Sequence, residues 1–318
     1  MLHVIGTDEA GFGPNLGPLV VSATVWQMPG GIGVEDLFDR LAAAVAPTAA
    51  EAGAGRIAIA DSKKLYQPGG SLRHLERGVL AGLASLGHSP ASWRGLLEAL
   101  DPAGGAGTAE IPWYAGYDQP IPVCGENDTG TRGQRFLDTC RAVGVRLCAI
   151  RSRVVEPHAF NARLARCGNK STLLSEVTLG LAAELTGGLP GPLSIICDKH
   201  GGRNRYADML AQHFPEAFIE IHGESRHRSA YRFGPAERRI DAAFLSNAER
   251  CLPVALASMA SKYLRELAMR AFNGYWAEHV SDLRPTAGYP QDARRFKKEI
   301  AAAQERLGIS DAMLWRAR

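Results

Sequence analysis

Charge of one sign is what this chain most lacks. Across 318 residues, 36 Lys and Arg stand against 33 Asp and Glu, a formal net charge of +3. So even a balance selects neither a nucleic-acid partner nor a small-molecule one, and any basic surface has to be local. There is no paired-cysteine motif either. The six cysteines, Cys124, Cys140, Cys148, Cys167, Cys197 and Cys251, form no C-x-x-C, which argues against a cysteine-built zinc site. They read as buried structural thiols of a reduced, cytoplasmic protein. No apolar run approaches the roughly 18 residues of a membrane span. No signal-peptide pattern opens the chain, and no internal repeat is present. What remains is an ordinary globular composition, 46% hydrophobic and 22% charged. The chain is long enough to bury a sizeable core, as one large domain or two small ones.

The apolar patterning predicts strands interspersed with helices. "LHVIGTD" and "LGPLVVSATVW" read as two strands, rich in Val and Ile, joined by a glycine-rich turn. "RIAIADSKKL" is a short apolar run ending at Asp61. "SLRHLERGVLAGLASLG" reads as a helix with Ser71 as N-cap and Leu72, Leu75, Val79, Leu80 and Leu83 on one face. From about Gly87 to Gly130 Pro, Gly, Trp and Tyr follow no period. A helix around "GQRFLDTCRAVG", a strand "VRLCAIRSRVV" and an amphipathic helix "STLLSEVTLGLAAEL" come next. "GPLSIICDKHGG" is a strand ending in Asp198. "AFIEIHGESRHRSAYRF" suggests two strands with a polar connection. "LPVALASMASKYLRELAMRAF" is a helix with Pro253 in an early position, and "DARRFKKEIAAAQERLG" is a charged helix. The expectation is one α/β domain over 1–318, with an inserted lobe or long loop at about 88–130 and a C-terminal helical segment at about 283–318.

Carboxylates stand where a buried core would not place them. Asp8 and Glu9 end the first strand, Asp198 ends a later one, Glu266 lies within a helix, and Asp61 is a fifth candidate. Several such groups brought together repel one another unless cations neutralise them, and Mg²⁺ or Mn²⁺ does so with oxygen ligands. A pair of such ions can clamp the attacking and leaving oxygens of a phosphodiester. Side chains alternate along a strand, so Asp8 and Glu9 reach one site only if the strand bends or stops there. Gly11 and Gly13 permit that, and they also let the backbone approach a phosphate. Alternatively the two are ordinary strand-end acids. Ser258, Lys262 and Glu266, spaced by four, share a helix face with Arg265 on its flank, either toward the site or as a solvated surface with a Lys–Glu pair.

"GTDEAGFGPNLGPLVVSA" resembles the signature of the ribonuclease HII family, DEAGRGPxxGPVV. "DSKKL" (Asp61 to Leu65) matches its second motif. "VVEPHAFNARLARCGNKSTLLSEVTLGLAAEL" is similar to its stretch of an acidic residue, an asparagine (here Asn161) and a long helix. "IICDKHGG" resembles its strand ending in an aspartate, "ASMASKYLRE" its ASIxAKVxRD, and "AGYP" (Ala287 to Pro290) its GYGT. These motifs follow the family's order and span most of the chain. The resemblance implies a ribonuclease H-like α/β fold, a mixed central sheet flanked by helices. It implies an endonuclease that uses Mg²⁺ or Mn²⁺ to cut the RNA strand of RNA–DNA hybrids, or to cut at ribonucleotides embedded in duplex DNA. Water attacks the phosphorus in line and leaves 3′-hydroxyl and 5′-phosphate ends. Carried over motif by motif, the catalytic, metal-binding acids are Asp8, Glu9, Asp198 and Glu266. The substrate-binding residues are Gly11, Phe12, Gly13, Lys63, which faces the backbone, and Tyr289, at the position of the tyrosine that stacks at the RNA–DNA junction. The partner is then the nucleic acid alone, for a monomer with no membrane association. Three departures bear on substrate preference: Phe12 replaces the arginine of G-R-G, Glu266 stands where Asp is common, and the segment before "CLP" is long and charged.

Other features are less specific. Arg226, Arg228, Arg232, Arg238 and Arg239, interleaved with His227, Tyr231 and Phe233, fit either a backbone-contacting arm or a solvated hairpin. "RRFKK" (Arg294 to Lys298), just after Tyr289, extends a nucleic-acid groove or is charged helix surface. Trp113, Tyr114 and Tyr117 close a small local core or hold a base. His200 assists leaving-group protonation or plays a structural part. Two rivals to a nuclease stand beside it. One is a binding module on the same fold that has lost catalysis. The other is a nucleotide-binding enzyme using "GFGPNLG", whose spacing fits neither common phosphate loop.

Overall fold

The computed structural model describes residues 1–53, 55–104, 110–125 and 128–317. Its strands are β1 (Leu2–Ala10), β2 (Leu19–Met28), the two-residue β3 (Val45–Ala46) and β4 (Ile57–Ala58), β5 (Arg146–Val155), β6 (Leu193–Asp198), β7 (Glu220–Glu224), β8 (Arg228–Phe233) and β9 (Ile240–Leu245). Seven of them form one mixed sheet in the order β5-β2-β1-β6-β9-β8-β7, while β3 and β4 pair separately. β1, β2 and β5 are antiparallel neighbours, β1, β6 and β9 run parallel, and β8 and β7 return antiparallel at the far edge. This is the α/β class that the sequence patterning predicts, with the mixed central sheet flanked by helices that the family resemblance implies.

Burial explains the composition of each strand. β2 is buried at every position but Gln27, because helices cover both of its faces, and it accordingly reads as an unbroken apolar run. On one face lie the helices Leu252–His279, Arg73–Ser85 and Thr129–Ala142; on the other lie Pro157–Cys167, Lys170–Thr186 and Ala207–His213. Gly6 lets the long helix Leu252–His279 start directly against β1: a β-carbon there would sit 2.4 Å from the Pro253 carbonyl carbon. β8 and β9 alternate instead. Ser229, Tyr231, Phe233, Ala242 and Phe244 point into the core, and Arg228, Arg232 and Asp241 point out. Among the described residues, no helix longer than a single turn covers their outer face, which the turns at Val34–Asp36 and Ala248–Arg250 border.

Two local expectations shift. Ser71 accepts a hydrogen bond from the Arg73 N–H at 3.2 Å, one residue ahead of the position that precedes the helix. In the weakly patterned 88–130 stretch, Trp93–Leu100 is a helix, and Trp93, Trp113 and Tyr114 are buried in the main core. Trp113 stands edge-on to Phe272 of the long helix, ring centres 5.1 Å apart. The aromatics thus fasten this stretch to the domain and do not form a separate core. The parts of that stretch at 105–109 and 126–127, and the last residue of the C-terminal segment, lie outside the described residues. Among the described residues no helix is long and apolar enough to cross a membrane.

Candidate metal centre

Three adjacent parallel strands end on the same side of the sheet, and each end brings an acid. Pairing of β1 with β6 stops at Thr7 and Cys197, so Asp8 and Glu9 lie just past the last rung. β1 itself does not stop there. It stays in unbroken register with β2, Asp8 opposite Ser22 and Glu9 opposite Val21, and the turn comes only at Gly11. With no bend in β1, the two side chains leave opposite faces of the strand, and of the pair Asp8 is the one that joins the carboxylate group. Asp198 is the last residue of β6. Beyond β9, Asn247 adopts the left-handed conformation (φ 59°) and starts the short turn Ala248–Arg250, in which the Ala248 N–H donates to Asp198 Oδ1 at 3.1 Å. That turn brings Glu249 back over the end of β6. The result is one carboxylate oxygen each from Asp8, Asp198 and Glu249, all within 4.8 Å of one another.

Glu249 was not singled out by sequence reasoning. The available signal was an acid in a short polar turn, "SNAER", between the end of a strand and the start of a helix. The family motif led instead to Glu266, which sits elsewhere. Ser258 is the residue of the helix face that reaches Asp8; it also donates to Ser62 Oγ at 3.0 Å. Glu266 lies two turns further on, roughly 12 Å along the axis. There it accepts from Tyr66 Oη at 2.9 Å, pairs with Lys262 Nζ at 2.5 Å and has Arg265 Nη1 at 3.8 Å.

The acids are electrostatically strained. At about 5 Å and an effective dielectric near 20, two carboxylates repel by ~3 kcal/mol. Burial, with the charges of Glu9, Glu249 and Asp198, holds the Asp8 carboxyl well above its ordinary range, against a hydrogen-bonding contact with Ser258. Glu9 is pushed up to about 7 by burial and by Asp198, with Lys63 opposing. Asp198 is raised by burial against its backbone donor at Ala248, and Glu249 by burial together with Asp198 and Asp61. A side-chain cation, Lys63, stands beside the group: its Nζ lies 4.0 Å from Glu249 Oε1, and 81% of its side chain is exposed. Burial works against its charge, yet Asp61, Glu249, Asp8 and Asp198 raise the ammonium above its usual value. An all-oxygen donor set carrying uncompensated negative charge suits a hard divalent cation such as Mg²⁺ or Mn²⁺.

The remaining candidates surround this centre. Gly11 (φ +92°) turns the chain out of β1, and a β-carbon there would lie 2.5 Å from the Pro18 carbonyl oxygen and 2.6 Å from Arg265 Nε. Gly13 is exposed, with open space beside it. The Phe12 ring packs toward Gly201 in the turn after Asp198. Asp61 caps the short helix Ser62–Leu65 through the Lys63 N–H at 2.9 Å. Tyr289, 50% exposed, precedes the helix Pro290–Arg306. Its neighbour Gly288 accepts backbone hydrogen bonds from Asn15 at 2.7 Å and Leu16 at 3.3 Å. Buried Arg265 adds bonds to the carbonyls of Leu16 and Ala287, so the glycine loop and the Tyr289 loop form one unit. His200 is buried, and its Nδ1 contacts Ser175 Oγ at 2.9 Å. Burial and the cations Arg203 and Lys199 lower it to about 3, so it serves as a neutral, structural imidazole.

No protein-family model and no curated protein sequence matches the chain. Solved structures do. The chain is similar to ribonuclease HII from Archaeoglobus fulgidus, in a structure of its complex with PCNA, at 18% identity and a TM-score of 0.45, over 99% of this chain and 94% of that one. It is similar to ribonuclease H2 from Pyrococcus horikoshii at 15% identity and a TM-score of 0.43, over 98% and 92%. A Bst ribonuclease HIII in complex with Mn²⁺ aligns at 15% identity and a TM-score of 0.38, over 99% of this chain and 66% of that one.

Proposed function

We propose that the chain is a ribonuclease H-type endonuclease, dependent on Mg²⁺ or Mn²⁺. It cuts the RNA strand of RNA–DNA hybrids or cuts at ribonucleotides embedded in duplex DNA, leaving 3′-hydroxyl and 5′-phosphate ends. The observation that carries this reading is the meeting of Asp8, Asp198 and Glu249 oxygens within 4.8 Å. Those three side chains would hold the ions, and Glu9 adds negative charge at the same end of the sheet. When bound, divalent ions neutralise the carboxylates, lower the pKa of a bound water and stabilise charge on the phosphoryl oxygens.

The chain's own residues supply the positioning. Lys63, exposed and anchored by the Asp61-capped turn, offers a point charge to a phosphate flanking the site. The open space beside Gly13 admits the backbone of a strand. Tyr289 presents an exposed ring from a loop bonded to the glycine loop, so stacking and backbone contact are set by one piece of structure.

The test is incubation with a duplex carrying one ribonucleotide, in Mg²⁺, in Mn²⁺ and in EDTA. Cleavage in either ion, abolished by EDTA, is the expected result. Binding without cleavage in both ions makes the chain a nucleic-acid-binding protein on the same fold. Phe12, in place of a phosphate-binding arginine, is the residue that favours this second reading. Glu266 lends it less, since Glu249 supplies the third oxygen.

A further inference from the structure

The β7–β8 hairpin and the open face beside it play no part in the acid centre, yet they adjoin it. On the outer face of β6, β9 and β8 runs a trough of about 770 Å³. Its floor is small: Ser194, Ala230 and Ala243. Arg228 and Arg250 stand at the end nearest the carboxylates. Arg228 and Asp198 both pair with Leu245, on opposite sides of β9, so they share one rung, two strand spacings or ~10 Å apart. The hairpin tip is fixed to the segment that leads to Glu249: the Ser246 N–H donates to the His227 carbonyl at 3.0 Å.

The arginines of this region fall into two sets. Arg232 is held by Asp241 at 2.7 Å, Arg239 by Glu220 at 3.2 Å, and Arg238 by the carbonyls of Leu189 and Thr186. Tyr231 and Phe233, which would stack bases in a nucleic-acid arm, are buried. Arg226 and Arg228 at the tip are exposed, and among the described residues no acid pairs with either side chain. The acids lining the trough are Glu35 and the engaged Asp241. Free cations are thus concentrated at the end that borders the metal centre.

We infer that the hairpin tip and trough form a second contact for a nucleic-acid duplex, with Arg226, Arg228 and Arg250 taking backbone phosphates, Arg228 from a strand position ~10 Å from that of Asp198. The inference rests on the nuclease reading for its substrate. It adds a sequence-independent grip that acts on binding and leaves the chemical step alone.

The experiment measures binding of a labelled, ribonucleotide-containing duplex in EDTA across a salt series. Each lost phosphate contact lowers the slope of log K against log salt by about 0.9, so the variant R226A/R228A should lose about 2 units of slope and bind about tenfold more weakly at moderate salt. R226K/R228K should keep the wild-type slope, because lysine preserves the point charge. Turnover at saturating duplex should stay within about twofold of wild type for both, with the loss confined to KM. A wild-type slope in R226A/R228A overturns the inference. So does an unchanged duplex affinity accompanied by loss of binding to polyglutamate or by a change in oligomeric mass, since the surface would then serve an acidic protein or a second copy. A wild-type protein that binds with the expected slopes but never cuts supports the grip while defeating the nuclease reading.

Discussion

The long helix Leu252–His279 separates two half-buried glutamates with opposite surroundings. Glu266, within the helix, is satisfied: Tyr66 donates to one oxygen, Lys262 to the other, and Arg265 lies alongside. Glu249, just before the helix, has two further acids within 4.8 Å and one exposed lysine at 4.0 Å. The same residue type is a closed ion pair in one place and an unmet demand for a cation in the other. Local charge balance, more than the presence of an acid in a motif, is the ground on which Glu249 is proposed as a metal ligand.

The largest break in that comparison is mutational. Asp8→Asn and Glu249→Gln should each lower cleavage about 10³-fold, since several kcal/mol of charge stabilisation leave with the ion and each 1.4 kcal/mol is tenfold. Glu266→Gln should cost less than about tenfold. Stability should move the other way. In metal-free buffer Asp8→Asn relieves repulsion and should raise the melting temperature, whereas Glu266→Gln leaves Lys262 and Arg265 without their acid and should lower stability by about 2–4 kcal/mol. Cleavage kinetics and melting curves on the three variants decide it. A dead Glu266→Gln beside an active Glu249→Gln would return the third acid to the position that the helix motif indicates.

Acidity sharpens the contrast next. Glu9 keeps its proton up to about 7 in the folded chain, while an unfolded glutamate loses it near 4.3. Between those values the native state binds more protons than the unfolded one, so stability falls as pH rises through the window, by at most about 4 kcal/mol from this group. Metal-free protein should therefore melt at a lower temperature at pH 8 than at pH 5. Saturating Mg²⁺ at pH 8 should restore about 2–3 kcal/mol if it reaches a hundred times its dissociation constant. Melting curves at the two pH values, with and without Mg²⁺, are the measurement. A stability that is flat with pH and indifferent to Mg²⁺ removes the charge argument for the site.

Asp8 and Asp198 were legible because each follows a recognisable apolar strand, and strand ends are where acids of this kind gather. Glu249 was not, because its placement depends on a three-residue turn and a left-handed Asn247, which carry no periodic signal. In the helix motif "ASMASKYLRE" the residue that touches Asp8 is Ser258, while Glu266 stands two turns further on among Tyr66, Lys262 and Arg265. The basic hairpin shows the same division. Alternation in "RSAYRF" is a period of two, which buries Tyr231 and Phe233 and exposes the arginines, so only the arginines are left for a backbone-contacting arm. In 88–130 the helix Trp93–Leu100 does carry a period, with Trp93, Leu96, Leu97 and Leu100 buried at i, i+3, i+4 and i+7, but it is only eight residues long; beyond it Trp113 and Tyr114 do the burying from a turn, which has no period.

The finest test lies at Tyr66. Its hydroxyl donates to Glu266 Oε2 at 2.9 Å, and Lys262 Nζ stands 4.9 Å over its ring. Burial and the Glu266 charge push the phenol up to about 12, so it remains a donor throughout the working range. Tyr66→Phe keeps the ring under Lys262 and removes only the hydroxyl. Glu266 retains Lys262 on its other oxygen, so the loss should be about 1 kcal/mol, a shift of about 2 °C in melting temperature for a chain of this size. Tyr66 follows the short helix that carries Lys63, so a slightly raised KM is expected with kcat within about threefold of wild type. Steady-state kinetics beside a melting curve reads both. If Tyr66→Phe instead lost a hundredfold in kcat with no change in melting, the Glu266 cluster would belong to the chemistry. The two glutamates would then be parts of one site and not opposites.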